Sequence, residues 1–491
     1  MGQLTLTAER VVELPPHQVY GMFGSGSGAG WLFDAHCAEV AVGAMVTLRV
    51  PLESGGGRPA DIVGRISGLA AGRRIDITHH LPWRGRLRMR FDPRESGGTR
   101  VRVTAEIGSE ALPWLMRRRG IPATGSVPEG AHPVGLLCSK SGPASVFAAA
   151  TENLALLGAE QVNADGGVNG REMRVLVGDD ATDPRTAAAE TRRLIRAGCR
   201  AIITNVTSQS FNAISAVARR AGVLVIYTPV NEGGPAHDLV FRLGERPEGQ
   251  LDAAVRRLMG ATGGRHWYLA GNDYSWPRDS NVWARRVIAR HGGAVVGETY
   301  RALGTDDFSS LIDDIAASGA DLVLSTFVGA DEVAFEQQCH AMGLRAQCRT
   351  LALALDEFTR SAIGDAASSG LWSVFGYFEN LDNAANRALV DSYYREFGRW
   401  APPPSSITES VYEALHLYTG AARAAGDDEP LTIARELRGR SFDGPRGTVA
   451  ISGPNAYRQP LMVAEAGNGG FSLVAEVEPS RERDSARLRW S

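Results

Sequence analysis

Residues 201–227, AIITNVTSQSFNAISAVARRAGVLVIY, decide the fold of most of this chain. The apolar run 201–204 reads as a buried strand, the amphipathic stretch 211–221 as a helix, and 223–227 as a second apolar strand. Continuous apolar strands alternating with amphipathic helices specify a parallel sheet covered on both faces. The same rhythm extends in both directions. Towards the N-terminus lie a strand at 134–137, a helix-compatible stretch at 144–162, the Gly-rich turn DGGVNG at 165–170, a strand at 173–177 and a helix at 184–196. A second series begins near Gln250, with strands near 266–269, 294–298, 322–324 and 350–353. Two series of similar length predict two α/β lobes rather than one large sheet. Helices at 406–425 and 431–438, short strands at 447–451, 461–464 and 471–474, and a charged, disordered tail at 479–491 complete the pattern.

The residues before 120 read differently. Leu87, Met89 and Phe91 interleave with Arg86, Arg88 and Arg90, and Val101 and Val103 interleave with Arg100 and Arg102. Period two of this kind gives an antiparallel sheet with one buried and one wet face. Up to Gly120 the chain holds 16 arginines against 11 acidic residues. Few aromatics accompany them as stacking platforms, so the arginines read as a solvated face rather than a nucleic-acid surface. The segment IPATGSVPEGA, 121–131, has the Pro/Gly composition of a linker.

Whole-chain composition sets the outer bounds. A length of 491 residues predicts about three folding units. A net charge of −3 excludes a generally basic nucleic-acid binder. No stretch approaches the ~20 apolar residues needed to cross a bilayer, and the first residues lack a basic segment leading into an apolar core. Five scattered cysteines without a C-x-x-C pair fit buried thiols better than a disulfide or zinc framework. The expectation is a soluble, cytoplasmic protein; the alternative is a periplasmic or cell-surface one if the true start is missing.

In open parallel sheets, ligands gather at the carboxyl ends of strands, where loops lead into helix N-termini. The loops at those positions carry Ser139, Lys140 and Ser141; Thr207 and Ser208; Tyr227, Thr228 and Asn231; Asp273, Tyr274 and Trp276; and Val328 and Gly329. The first three sets belong to one lobe and the last two to the other, so an interlobe cleft would gather them around one small ligand. Lys140 is the chain's only lysine, and a contact from it to a ligand carboxylate is one expectation. Catalytic signatures are missing: no G-x-S-x-G elbow, no H-E-x-x-H, no P-loop, no Cys/His metal spacing. The glycines of GSGSGAG, 24–30, follow no parallel strand and read as a connector. Asp179, Asp180 and Asp183 precede a helix that begins near Pro184 and read as caps. In the N-terminal domain, Asp76 and His79 are the nearest acid/base candidates. No metal and no cofactor is implied.

The segments VGLLCSKSG, AEQVNADGGVNGREMRVLVGDDATDP, GNDYSWPRDSN, HGGAVVGETYRALGTDDFSSLIDDI, ADLVLSTFVG, SITESVYEALHLY and FDGPRGTVAI carry a family resemblance. In this order they resemble type I periplasmic solute-binding proteins. The likeness is to the branch of amide-sensor and urea or short-chain-amide receptors especially, with the Leu/Ile/Val receptors more distant. The resemblance implies a two-lobed, non-catalytic receptor closing on its ligand by hinge motion, with contacts at Thr207, Ser208, Tyr227, Thr228, Tyr274, Trp276, Val328 and Gly329. It adds Tyr377, in VFGYFEN, as an aromatic near the cleft. Asn231 stands where the family commonly has an aromatic, and Lys140 where it has an uncharged residue. GRISGLAAGRRIDIT and GGTRVRVTAEI, with a short helix between strands, resemble the START-like helix-grip (SRPBCC, polyketide-cyclase-like) superfamily, in which 110–119 would supply the closing helix.

The expected organisation is therefore an α+β START-like domain at 1–120 and a linker at 121–131. A two-lobed type I periplasmic-binding-protein α/β fold follows at 132–478, with one lobe at 132–246 and 378–440 and the other at 247–377 and 441–478. The expected function is non-catalytic binding of a small polar organic solute (amide, urea-like or amino-acid-like), as an intracellular ligand sensor. One alternative is the substrate-binding component of an ABC transporter. Another is a cyclase- or hydrolase-like enzyme or lipid carrier in the N-terminal domain. Expected partners are the small ligand, a regulatory or transport protein and a second copy of the chain in a homodimer; nucleic acid and membrane insertion are excluded.

Overall fold

The alternation of apolar residues and arginines along 86–91 and 100–103 becomes, in the computed structural model, the centre of a seven-stranded antiparallel sheet. The structure describes residues 3–23, 34–37, 39–50, 60–81, 85–94, 97–108, 130–398 and 401–477. The expected helix at 110–119, the connector at 24–30, most of the linker and the tail at 479–491 lie outside the described residues. Met1–Pro122 with Ser392–Pro402 forms one compact unit, and Ala123–Asp391 with Pro403–Ser491 the other.

The first unit contains β1 (Gln3–Val12), β2 (Asp34–His36), β3 (Met45–Val50), β4 (Ala60–Ala70), β5 (Arg74–Leu81), β6 (Gly85–Pro93) and β7 (Thr99–Gly108), in the sheet order β1-β7-β6-β5-β4-β3-β2. One face buries Ile75, Ile77, Leu87, Met89, Phe91, Val101 and Val103 together with Val19 and Phe23 from in and beside the short helix Pro16–Gly21. The other face is ionic. Arg74 lies opposite Arg90, Arg90 opposite Arg102, and Arg102 opposite Glu9, in one row across four strands. Asp76 pairs in register with Arg88 and is ion-paired to Arg74 and Arg88 at 3.1 and 2.7 Å. It therefore belongs to the wet face rather than the inward positions where an acid/base candidate was sought.

The second unit has two lobes. In the first, β8 (His132–Cys138), β9 (Met173–Asp179), β10 (Ala201–Asn205), β11 (Leu224–Tyr227) and β12 (Val240–Arg242) form a parallel sheet in the order β12-β11-β10-β8-β9. All five residues of β10 are buried, as the quoted stretch requires. The long helix Ser406–Ala425 begins with a capping box between Ser405 and Thr408 and buries Val411, Leu415 and Tyr418 in the core on one side of this sheet. In the second lobe, β13 (His266–Asn272), β14 (Ala294–Arg301), β15 (Leu322–Thr326), β16 (Arg349–Ala352) and β17 (Trp372–Phe375) are parallel. The small sheet of β18 (Arg440–Gly444), β19 (Gly447–Gly453) and β20 (Ala456–Arg458) follows, and then β21 (Leu461–Gly467) and β22 (Gly470–Val477).

Two expectations change here. β21 and β22 join the second lobe's sheet antiparallel to their neighbours, so that sheet is mixed, because they enter as a hairpin beside β17. And β18–β20 do not belong to the second lobe: Val449 and Ile451 are buried in the first lobe's core. The return to the second lobe falls at Gln459–Pro460, not at 441. The chain thus passes between lobes three times, after Arg242, after Phe375 and after Arg458.

Candidate ligand-binding cleft

Strand ends of both lobes contribute to one small cavity of ≈ 50 Å³, enough for roughly three to five waters or a solute of comparable size. From the first lobe come Ser139 after β8, Asn205–Ser208 after β10, and Tyr227, Pro229 and Val230 at and beyond the end of β11. Tyr274, Trp276, Val328 and Ala354 close it from the second lobe, and Ala144, Phe147 and Ile407 complete the wall. Among the described residues no charged side chain lines it. The lobes touch at its rim: a side chain on Gly329, whose φ is 60°, would place its Cβ 2.8 Å from the Pro143 carbonyl oxygen.

Ser208 opens the helix Ser208–Arg220, so the first-turn N–H groups of that helix have no preceding carbonyl and face the cleft end of the sheet. Its hydroxyl donates to Glu232 Oε2 at 2.8 Å. Tyr227 is stacked on Phe211 with ring centroids 4.0 Å apart, Arg242 lies over the Phe211 ring, and the Tyr227 hydroxyl donates to the Val206 carbonyl at 3.1 Å. Burial, with the nearby Glu232 carboxylate, pushes the Tyr227 phenol far above its usual range. Tyr274 is likewise raised, by burial first and then by Tyr227 and Glu232. Both phenols therefore stay neutral. Trp276 is 1% exposed, and its indole Nε1 is buried without a hydrogen-bond partner among the described residues. Behind Ser139, burial raises the Asp180 carboxyl against the opposing pull of the Ser139 and Ser210 hydroxyls.

Of the residues singled out from sequence, Ser139, Thr207, Ser208, Tyr227, Tyr274, Trp276 and Val328 line the cavity. The others are placed elsewhere, each for a physical reason. Lys140 Nζ meets Glu152 at 2.6 Å on the helix Ala148–Ala164, so its charge is already matched away from the cavity. Ser141 donates to Asp179, which also accepts from the Lys140, Ser141 and Ala181 N–H groups and so fastens this loop. Thr228 donates to the Thr204 carbonyl, and Asn231 to the carbonyls of Pro229 and Leu243. Asp273 pairs with Arg278 at the surface. Gly329 serves the lobe contact, and Tyr377 is buried just beyond β17. Asp183 caps the helix Pro184–Arg196 through the Thr186 N–H, as its position predicts. Asn205, Val206, Pro229 and Val230, on the same strand-end loops as Thr207-Ser208 and Tyr227-Thr228, line the cavity as well. Sequence reasoning missed Ala144, Phe147, Ala354 and Ile407, apolar wall residues without a chemical signature.

Among the described residues no group of His, Cys, Asp and Glu could hold a metal ion, and no helix is long and apolar enough to cross a membrane. The sequence profile described as periplasmic binding protein matches residues 132–470. The Leu-, Ile-, Val-, Thr- and Ala-binding protein of Pseudomonas aeruginosa is 23% identical over 330 residues, covering 63% of this chain and 83% of that protein. Leu/Ile/Val-binding protein homolog 1 of Brucella abortus is 24% identical over 334 residues, covering 64% and 84%. Among solved structures, an ABC-transporter solute-binding protein from R. palustris in complex with benzoate superposes with a TM-score of 0.65 at 23% identity, over 71% of this chain and 97% of that one. A leucine-binding protein from Thermotoga maritima gives 0.63 at 20% identity, over 71% and 99%. These superpositions share the two-lobed fold.

Proposed function

The chain belongs to the periplasmic binding protein family, and on that premise we propose that its cleft takes a compact, uncharged organic solute of the amide or urea type. It is a solute-binding protein and not an enzyme. The observation that carries the ligand reading is the Ser208 hydroxyl, whose single hydrogen is held by Glu232. Tyr227 likewise spends its hydrogen on Val206. Both oxygens therefore offer lone pairs to a solute, while Trp276 Nε1 and the helix N-terminus offer N–H groups. An amide, with N–H donors beside a carbonyl acceptor, matches both sets. A carboxylate would need the hydroxyl hydrogens already committed and would lie one hydroxyl away from Glu232. An α-amino acid brings in addition an ammonium, and among the described residues no charged side chain lines the cavity to meet it.

The amide preference supports a reading of the chain as one of the amide-sensor and short-chain-amide branch. Family membership favours a substrate-binding component that hands its solute to a membrane transporter over the intracellular sensor expected from sequence. It favours the periplasmic alternative over the cytoplasmic location, which nothing in the relatives supports. For the N-terminal unit, the order of strand, short helix and six strands supports a START-like reading.

Thermal unfolding of the full chain with acetamide, propionamide or urea, against acetate, benzoate and leucine, tests the ligand class. Mass action stabilises by about 2.7 kcal/mol at a hundredfold excess over Kd, so the amide class should raise the melting temperature by several degrees and the others leave it unchanged. A rise with leucine or benzoate and none with the amides would overturn the proposal.

A further inference from the structure

The wet face of the N-terminal sheet holds a second cavity, an open basin of ≈ 160 Å³. It is lined by Arg86, Arg88 and Arg90 of β6 and by Arg102, Thr104 and Glu106 of β7. These six are three directly opposed pairs: Arg86 with Glu106, Arg88 with Thr104 and Arg90 with Arg102. No apolar or aromatic side chain is among them. The fold beneath does not require this composition, because its core is made by the alternate residues Leu87, Met89, Phe91, Val101 and Val103. Arginine opposite arginine is a locally unfavourable choice on a sheet, and local rules are broken most often where a site has a function.

Two of the guanidiniums are held from outside the basin. Asp76, on β5, accepts from Arg88 Nε at 2.7 Å, and Glu9, on β1, accepts from Arg102 Nε at 2.5 Å. A guanidinium bonded through Nε keeps its terminal N–H groups, and among the described residues those of Arg88 and Arg102 make no hydrogen bond. Both side chains remain reachable, at 42% and 38% exposure. The Arg90 guanidinium has no partner among the described residues, although it stands between Arg74 and Arg102. Arg86 approaches Glu106 only to 4.0 Å. Around the basin, Arg74, Arg86, Arg88, Arg90 and Arg102 exceed Glu9, Asp76 and Glu106 by two charges. The next opposed pair, Asp92 with Arg100, adds none.

We propose that this basin binds a small soluble phosphomonoester, gripped by Arg88, Arg90 and Arg102, with Asp76 and Glu9 positioning Arg88 and Arg102 from outside. The site is separate from the cleft and goes beyond solute binding there. A phosphomonoester carries close to two negative charges at neutral pH, which equals the excess around the basin. Its tetrahedral oxygens suit guanidinium forks, which bind phosphate bidentately, and the Thr104 hydroxyl adds a neutral donor. A single carboxylate leaves one of the two charges unmatched. A nucleic-acid strand brings bases that need aromatic platforms, and the lining has none.

Equilibrium dialysis of radiolabelled glycerol 1-phosphate against the full chain tests this. The conditions are a pH of about 8, where the phosphate is a dianion, and about 150 mM salt, where charges beyond about 8 Å are screened. One site per chain is expected. Methyl sulfate has the same tetrahedral oxygens and a single charge, and should displace the label only at a concentration about tenfold or more above that of unlabelled glycerol 1-phosphate. Arg90→Thr should weaken binding about tenfold or more. Arg100→Thr removes an equal charge from the same face outside the basin and should change binding less than about threefold. No retention of glycerol 1-phosphate overturns the proposal. So do equal losses in the two variants, which would mean diffuse attraction, and displacement by methyl sulfate at equal concentration. A thymidine oligonucleotide or phosphatidylglycerol vesicles bound by a chain that does not retain glycerol 1-phosphate would assign the basin to nucleic acid or membrane and overturn it as well.

Discussion

Arginine occurs in two opposite settings in this chain. Beside the crossovers between the lobes, one arginine, Arg446, sits dry among Glu245, Glu409 and Glu413. On the wet face of the N-terminal sheet, Arg74, Arg90 and Arg102 stand directly opposite one another, and Asp76 and Glu9 are each shared between two arginines. Like charges opposite one another are unfavourable on a sheet, yet water screens them to a small cost. The same residue in a dry site is held by every one of its N–H groups, and removing it leaves its partners uncompensated. Burial, not ion-pair count, sets the energetic weight of a charge in this molecule.

Arg446→Ala should show the largest effect, about 3–5 kcal/mol of lost stability in urea unfolding; a loss below about 1 kcal/mol would erase the contrast. Protonation sharpens the same side. The Glu413 carboxyl, pushed up to about 8 by burial, contributes stability that is fully present below about pH 4.5 and is lost as pH rises through about 8, so the unfolding midpoint should fall over that interval in the parent and not in Glu413→Gln. Intermediate effects belong to the cleft. Trp276→Phe keeps the ring wall but deletes the buried donor, and should weaken amide binding by about 1–2 kcal/mol in calorimetry, roughly tenfold. Gly329→Val, strained at a φ of 60° and pressing on Pro143 at the rim, should weaken binding and also lower urea stability by about 1–3 kcal/mol. On the wet face, Arg90→Thr should change stability by no more than about 0.5 kcal/mol, in the stabilising direction and only at low salt; a large loss there would break the comparison from the other side.

The parts of this fold legible in sequence were those governed by periodicity. Strand and helix alternation located both lobes, and apolar–arginine alternation located the sheet with its dry and wet faces. The strand-end rule marked Ser208, Tyr227, Tyr274 and Trp276 because hydroxyls and aromatics at such positions are chemically conspicuous. It also marked Lys140, Thr228 and Asn231, whose polar groups instead fasten their own loops, since strand position does not say which way a loop side chain turns. The buried arginine–glutamate cluster had no such signal. Glu245, Glu409 and Arg446 are far apart in sequence and each resembles a surface charge; only Glu409 and Glu413, four apart on a helix buried over most of its length, hint at it. The lobe assignment of 441–458 failed for a related reason, because short strands carry no mark of the sheet they join.

A crystal structure of the full chain with the amide that most raises its melting temperature decides the ligand reading. The amide carbonyl should lie within hydrogen-bond distance of Trp276 Nε1 and an amide N–H should point at Ser208 Oγ, with the lobes closed around both. A solute bound outside that cavity, or one with a carboxylate against Ser208 and Glu232 turned away, would contradict it.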